Sequence, residues 1–247
     1  MHDNEYYIGN PGAQFDDWIL QNAPDNCAVA AETSIINQFG GEHLSLDDAS
    51  YISASNGWYQ PGMGTSFNDI GNLMDLGGIP NHSVMGASIE QLAGELQNGN
   101  GVIVGINSHE LWDEGIWNNI KQFFYDAFGL DTPDFNPANH AVVVTGIDVS
   151  DSAHPMVIIN DSGTPNGAAV RYPLDKFTDA WENSGFYYTA TDVPIPNSHL
   201  ASPDSLGFDV RDFLGLGTTL LTGDVTTGMI VNQIADQIDW DFVLQSI

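Results

Sequence analysis

The sequence predicts an α+β fold in which a layer of helices leads and a sheet follows. Two observations carry this. Capped segments with helical spacing occupy the chain from about Cys27 to Leu96, and then the period changes to runs of Val and Ile between Gly101 and Asn160. Helices first and strands afterwards is the pattern of a segregated α+β architecture. A third observation bounds the unit. Pro194 and Pro196 fix an extended stretch and remove two backbone donors, which marks a break between a domain at 1–193 and an extension at 194–247.

The first helix is predicted from Cys27 to Phe39. Asp25 and Asn26 stand at its start as N-cap types, Pro24 lies just upstream, and Gly40-Gly41 stops it. Leu46 to Ala54 follows Ser45 as a second helix, and Ser66 to Leu76 is a third, ended by Gly77-Gly78. Ser88 with Gln91 three residues on has capping-box spacing and opens a fourth helix to Leu96. Gly101–Ile106, His140–Ile147 and Met156–Asn160 read as buried strands, and Phe186–Thr189 as a shorter aromatic one.

Composition narrows the function. The chain has 247 residues, with 33 acids against 4 bases and a formal charge of −29. Acids make up an ordinary share for a chain whose average charged content would be about 25 %; what is abnormal is the scarcity of Lys and Arg. Lys121, Arg171, Lys176 and Arg211 are scattered and cannot form the cationic patch that nucleic acid or an anionic membrane requires. No apolar run reaches the roughly 18 residues of a spanning helix, so no membrane insertion is expected. The opening Met1-His2-Asp3-Asn4-Glu5 has neither the charge nor the apolar run of a cleavable signal peptide. One cysteine, Cys27, excludes an internal disulfide.

That cysteine sits in the first turn of its predicted helix, where unpaired backbone donors and the helix dipole favour a thiolate. His140 heads the Val-rich strand, a placement that would hold an imidazole rigidly at a sheet end. Asp161 follows the next strand, before Ser162-Gly163. If the two strands are antiparallel neighbours, the start of one meets the end of the other, and Asp161 can orient the His140 ring. Gln21, six residues before Cys27, can supply an amide beside the Cys27 backbone N–H as an oxyanion hole. No zinc-protease helix, phosphate-binding Gly loop or cysteine pair is present, and no cofactor or metal is expected. Asp131, Asp134 and Asn136 lack calcium-loop spacing.

A Gln, then Asn-Cys at a helix start, then His-Ala-Val-Val-Val-Thr-Gly-Ile and Ile-Asn-Asp-Ser-Gly far downstream resembles the papain-like cysteine peptidases. Within them the double-glycine (bacteriocin-processing) peptidase-like branch is the most similar. Leu44-Ser-Leu-Asp-Asp-Ala, Gly62-Met-Gly-Thr-Ser-Phe-Asn-Asp, Ile89-Glu-Gln-Leu-Ala-Gly-Glu-Leu and Gly101-Val-Ile-Val-Gly-Ile fall in that branch's order. The likeness spans about Phe15 to Ala190. It implies a papain-like fold with the nucleophile at a helix start, packed on an antiparallel sheet carrying His and Asp. It implies Cys27 as nucleophile, His140 as base and later acid, Asp161 as the orienting group and Gln21 as oxyanion donor. Two positions depart from the pattern: Ala28 where Gly is common, and Ser162 where Pro often follows the acid.

The expected function is therefore a thiol-dependent peptide-bond hydrolase of bacterial type, acting on a peptide or protein substrate through an acyl-enzyme on Cys27. A deamidase or transglutaminase-type effector would use the same groups. A non-catalytic peptide-binding or assembly module is the contrasting class. The loop Ser108 to Asn139, with Trp112 and Trp117, is longer than usual and either covers the cleft or packs on another chain. Residues 228–247 carry Ile230, Ile234 and Ile238 at helical spacing. This amphipathic stretch either docks on the domain, mediates self-association, or contacts a transporter as an uncleaved export signal. The last reading implies secretion without a cleavable signal peptide; otherwise the protein is cytoplasmic.

Overall fold

The computed structural model describes residues 7–112 and 138–196. The insert at 113–137 and the tail at 197–247 lie outside the described residues, and with them Trp117, the Asp131–Asn136 cluster and the amphipathic stretch 228–247. The chain order is β1 (Tyr7–Gly9), α1 (Cys27–Gln38), α2 (Leu46–Ser55), β2 (Tyr59–Gln60), β3 (Gly64–Thr65), α3 (Asn72–Leu76), β4 (Asn81–Val84), α4 (Ile89–Gln97) and β5 (Asn100–Ile106). There follow α5 (Ser108–Leu111), β6 (His140–Asp148), β7 (Met156–Asn160), β8 (Val170–Pro173), α6 (Leu174–Glu182) and β9 (Tyr188–Pro194).

The main sheet runs β4-β9-β5-β6-β7-β8, with β1 also paired to β6. Every pairing is antiparallel. The architecture is thus the expected mixture of helices and antiparallel sheet. The unbroken apolar runs of β5 and β6 are explained by burial on both faces. Val102, Val104, Ile106, Val142 and Val144 enter one core with α4, α6 and β1. Ile103, Ala141 and Val143 enter the other with α1, α2 and α3. Burying each such side chain contributes on the order of 1.5–3 kcal/mol. Gly101 faces Ile35 so closely that a Cβ would lie 2.9 Å from it, so glycine there lets α1 sit directly on the sheet.

Several elements differ from the sequence reading. The third helix is only Asn72–Leu76, because the chain turns through Gly71 at φ +107°. A Cβ at Gly71 would lie 2.2 Å from Asn81 Oδ1. The Gly71 amide, with those of Leu73 and Met74, donates to Oε2 of the buried Glu32 carboxyl of α1, so the short helix is capped from a distant element. The last strand begins at Tyr188 rather than Phe186, whose φ of +56° belongs to the turn, and runs on through Pro194. Strands β1, β4 and β8 and helix α6 were not read from the sequence. Helix α6 nonetheless presents Phe177, Ala180 and Trp181 to the core at helical spacing. The Ser88–Gln91 capping box is formed reciprocally. Among the described residues no helix is long and apolar enough to cross a membrane.

Candidate active site

Local sequence places Cys27 at the first residue of α1. Asn26 precedes it but does not cap the helix with its side chain. Its Oδ1 accepts from the Ala23 amide, and its Nδ2 donates to Asn22 Oδ1 and Ser50 Oγ. Asp25, the other expected cap, instead accepts from the Tyr59 hydroxyl at 2.7 Å and from the Gly62 amide. Asn26 thus holds the loop and ties it to α2, Asp25 ties it to the β2–β3 hairpin, and the Ala28 amide of the first helical turn is directed at the Cys27 sulfur. Cys27 itself is half-buried.

His140 begins β6, opposite Ile106 at the end of β5. Val143 of β6 pairs with Asn160, the last residue of β7. Extending that antiparallel register by three residues brings His140 to the turn after β7. There His140 Nε2 meets Asp161 Oδ1 at 2.7 Å, which leaves Nδ1 for Cys27. The juxtaposition expected of neighbouring strands is thus realised between these two side chains. Asp161 is fully buried. Its Oδ1 also accepts the Gly163 amide at 2.8 Å, and its Oδ2 accepts Trp112 Nε1 at 2.9 Å.

The electrostatics follow. Burial pushes the Cys27 thiol up, but a hydrogen bond with His140, the imidazolium charge, and the amides of Ala141 and Ala28 outweigh it, so the net shift is downward from 9.0. Burial alone would lower His140. The charge and hydrogen bond of Asp161, followed by those of Cys27, reverse this and raise it from 6.5 to about 10. The two opposed shifts, thiol down and imidazole up, both favour thiolate beside imidazolium. Gln21 lies at the same locus. Its backbone N–H donates to the Ser162 carbonyl at 2.9 Å, and its Nε2 donates to the Ala23 carbonyl at 2.8 Å. One of the two Nε2 hydrogens is therefore engaged in the loop and the other is left for a neighbour. Among the described residues no group of three or more His, Cys, Asp or Glu is arranged to hold a metal ion.

A model of the Peptidase_C39 like family matches residues 13–189. The chain belongs to that family. It is also 28 % identical over 212 residues to uncharacterized proteins of Mycobacterium bovis and Mycobacterium tuberculosis, covering 74 % of this chain and 83 % of theirs. A crystal structure from Bacillus anthracis, assigned as a C39-like peptidase, matches with a TM-score of 0.44 and 18 % identity, over 70 % of this chain and 92 % of that one.

In this Peptidase_C39 like chain the site also uses residues that sequence reasoning did not assign. Trp112 was read only as a loop aromatic. Its indole N–H satisfies Asp161, and its ring lies tilted at 5.3 Å from the imidazole. Trp18 Nε1 donates to the Asp161 carbonyl at 2.7 Å. Gly163 packs so tightly on the imidazole that a Cβ would stand 3.1 Å from His140 Nε2. The signal in the sequence is that aromatics stand upstream of each segment, Trp18 before Cys27 and Trp112 before His140, which does not say what they touch.

Proposed function

We propose that this protein is a papain-like cysteine peptidase with Cys27 as nucleophile, His140 as general base and acid, Asp161 as the orienting group and Gln21 with the Cys27 backbone N–H as the oxyanion hole. The observation that carries the reading is the unbroken relay from Cys27 through His140 to a buried Asp161 whose every side-chain oxygen is satisfied. Membership of the Peptidase_C39 like family supports it. A placement within the double-glycine, bacteriocin-processing branch is part of the same proposal.

In the proposed reaction the thiolate of Cys27 attacks the carbonyl carbon of the scissile bond. The negative charge that develops on the carbonyl oxygen is met by the Cys27 N–H and the free Nε2 hydrogen of Gln21. His140 gives its proton to the leaving nitrogen, the C–N bond breaks, and an acyl-enzyme thioester remains. His140, now neutral, takes a proton from water, whose oxygen attacks the thioester; the sulfur leaves as thiolate, and the proton kept on the imidazole restores the starting ion pair. Asp161 keeps its proton-free role throughout, fixing the ring so that Nδ1 faces the sulfur. The same steps with a side-chain amide as substrate would give a deamidase, but a peptide bond is the substrate the family name suggests.

The test is alkylation of the native protein with iodoacetamide across pH, wild type against His140→Ala. The expected result is a thiolate that forms below the ordinary thiol range in the wild type and is lost from that range in the variant. A Cys27 titrating near its ordinary value in both, or unreactive until the protein is denatured, would overturn the reading.

A further inference from the structure

Ser162, the residue after the orienting acid, stands where the resembled branch often has proline, and the structure gives its hydroxyl a partner. Ser162 Oγ donates to Gln21 Oε1 at 3.2 Å. The contact is buried, with Ser162 5 % and Gln21 3 % exposed. A second bond runs the other way between the same two residues, from the Gln21 amide to the Ser162 carbonyl. A carboxamide has two faces that differ only in which end donates, and an oxyanion donor works only if nitrogen, not oxygen, points at the developing charge. The Ser162 hydroxyl takes the oxygen end and the Ala23 carbonyl takes one nitrogen hydrogen. Between them they leave one orientation. A proline at position 162 would have no hydroxyl to do this.

We infer that Ser162 is a positioning residue for the oxyanion hole, holding the Gln21 amide with its nitrogen toward the reacting carbonyl. The inference rests on the cysteine-peptidase reading. The turn Asp161-Ser162-Gly163 then organises both halves of the machinery at once. Asp161 sets the imidazole through Nε2, and Ser162 sets the amide. The backbone bond between Gln21 and Ser162 holds the two halves in register.

The experiment compares two readouts in the full chain. Iodoacetamide alkylation of Cys27 needs the thiolate but no oxyanion hole, whereas hydrolysis of fluorescein-labelled casein needs both. Ser162→Ala is expected to leave the alkylation rate and its pH profile within about twofold of wild type. It should lower the apparent kcat on casein by on the order of tenfold with KM unchanged, less than the roughly 100- to 1,000-fold of losing a donor outright. Ser162→Thr, which keeps the hydroxyl, should restore kcat, and in a Gln21→Ala background Ser162→Ala should have no further effect. Unchanged casein hydrolysis in Ser162→Ala, or a loss that adds in full to that of Gln21→Ala, overturns the Ser162 role alone. Alkylation falling in step with hydrolysis also overturns it, since Ser162 would then be supporting the thiolate. A wild-type Cys27 without a thiolate below the ordinary thiol range overturns the peptidase reading and this role with it.

Discussion

Trp112 and His140 hold opposite oxygens of the same carboxylate: the indole N–H donates to Asp161 Oδ2 at 2.9 Å while the imidazole meets Oδ1 at 2.7 Å. The tryptophan therefore does for Asp161 what Asp161 does for the histidine, and its ring walls the pair from one side. A buried carboxylate oxygen left without a donor costs about 1–3 kcal/mol or more. Trp112→Phe keeps the ring and removes only the donor. Hydrolysis by this variant is expected to fall by roughly tenfold, and urea unfolding should show a loss of about 1–3 kcal/mol. Unchanged values for both would mean that Asp161 does not depend on the indole.

Asp161→Asn tests the charge behind the raised histidine. His140 is raised to about 10 because the carboxylate's charge and hydrogen bond overcome the effect of burial. With the charge gone, the thiolate–imidazolium pair should weaken. The acid limb of Cys27 alkylation is expected to move upward toward 9.0, and hydrolysis to drop by about 100-fold. In the wild type the raised His140 contributes stability that is fully present below its ordinary 6.5 and is lost as pH rises through about 10. The lowered Cys27 contributes the reverse, stability present above 9.0 and lost as pH falls through its depressed value. Unfolding midpoints followed across that range should lose the alkaline decline in a His140→Gln variant.

Glu32 offers an independent pH test away from the sulfur. Burial raises its carboxyl from 4.5 to about 8, against the pull of the Gly71, Met74 and Leu73 amides. A folded-state value above the unfolded one means stability that is complete below 4.5 and lost as pH rises through about 8. Glu32→Gln keeps an acceptor oxygen for the three amides and cannot ionise. The melting temperature of the variant is expected to exceed that of the wild type at pH 8.5 and to match or fall below it at pH 5. The opposite ordering would show that the amides, rather than burial, dominate.

Gly163→Ala should act on geometry alone. The added methyl would sit 3.1 Å from the imidazole and 3.2 Å from Asp161 Oδ1, closer than ordinary packing tolerates. The ring must give way, with a loss of hydrolysis of about tenfold and a stability change near 1–3 kcal/mol. Parallel kinetics and urea titration measure both. A fully active variant would place the functional ring elsewhere.

The parts legible in the sequence share one property, that their signals are local. The start of α1 at Cys27, the reciprocal Ser88–Gln91 cap, and the apolar strands β5, β6 and β7 are written in neighbouring residues. The meeting of His140 and Asp161 followed because their strands are adjacent in the chain and antiparallel. What escaped depends on partners far apart. Glu32 of α1 caps α3 about 40 residues on, and this, with the turn at Gly71, shortens a helix that spacing alone extends back to Ser66. Asp25 and Asn26 have the composition of caps, but the hairpin and Ser50 claim them first. The roles of Trp18, Trp112 and Ser162 are contacts with Asp161 and Gln21, and no local pattern records them.

The pairing of the first strand with the middle of the sheet, and of Trp18 with Asp161 143 positions later, has a consequence in time. A polypeptide emerges from its N-terminus, so Gln21 and Cys27 leave the ribosome long before His140, Asp161 and Ser162 exist to meet them. Contacts this distant in sequence form late. Until more than 160 residues have been made, the thiol cannot have both the imidazole and the carboxylate behind it. On the proposed reading the nascent chain carries an ordinary cysteine, and completion of its own fold is what supplies the groups that activate it.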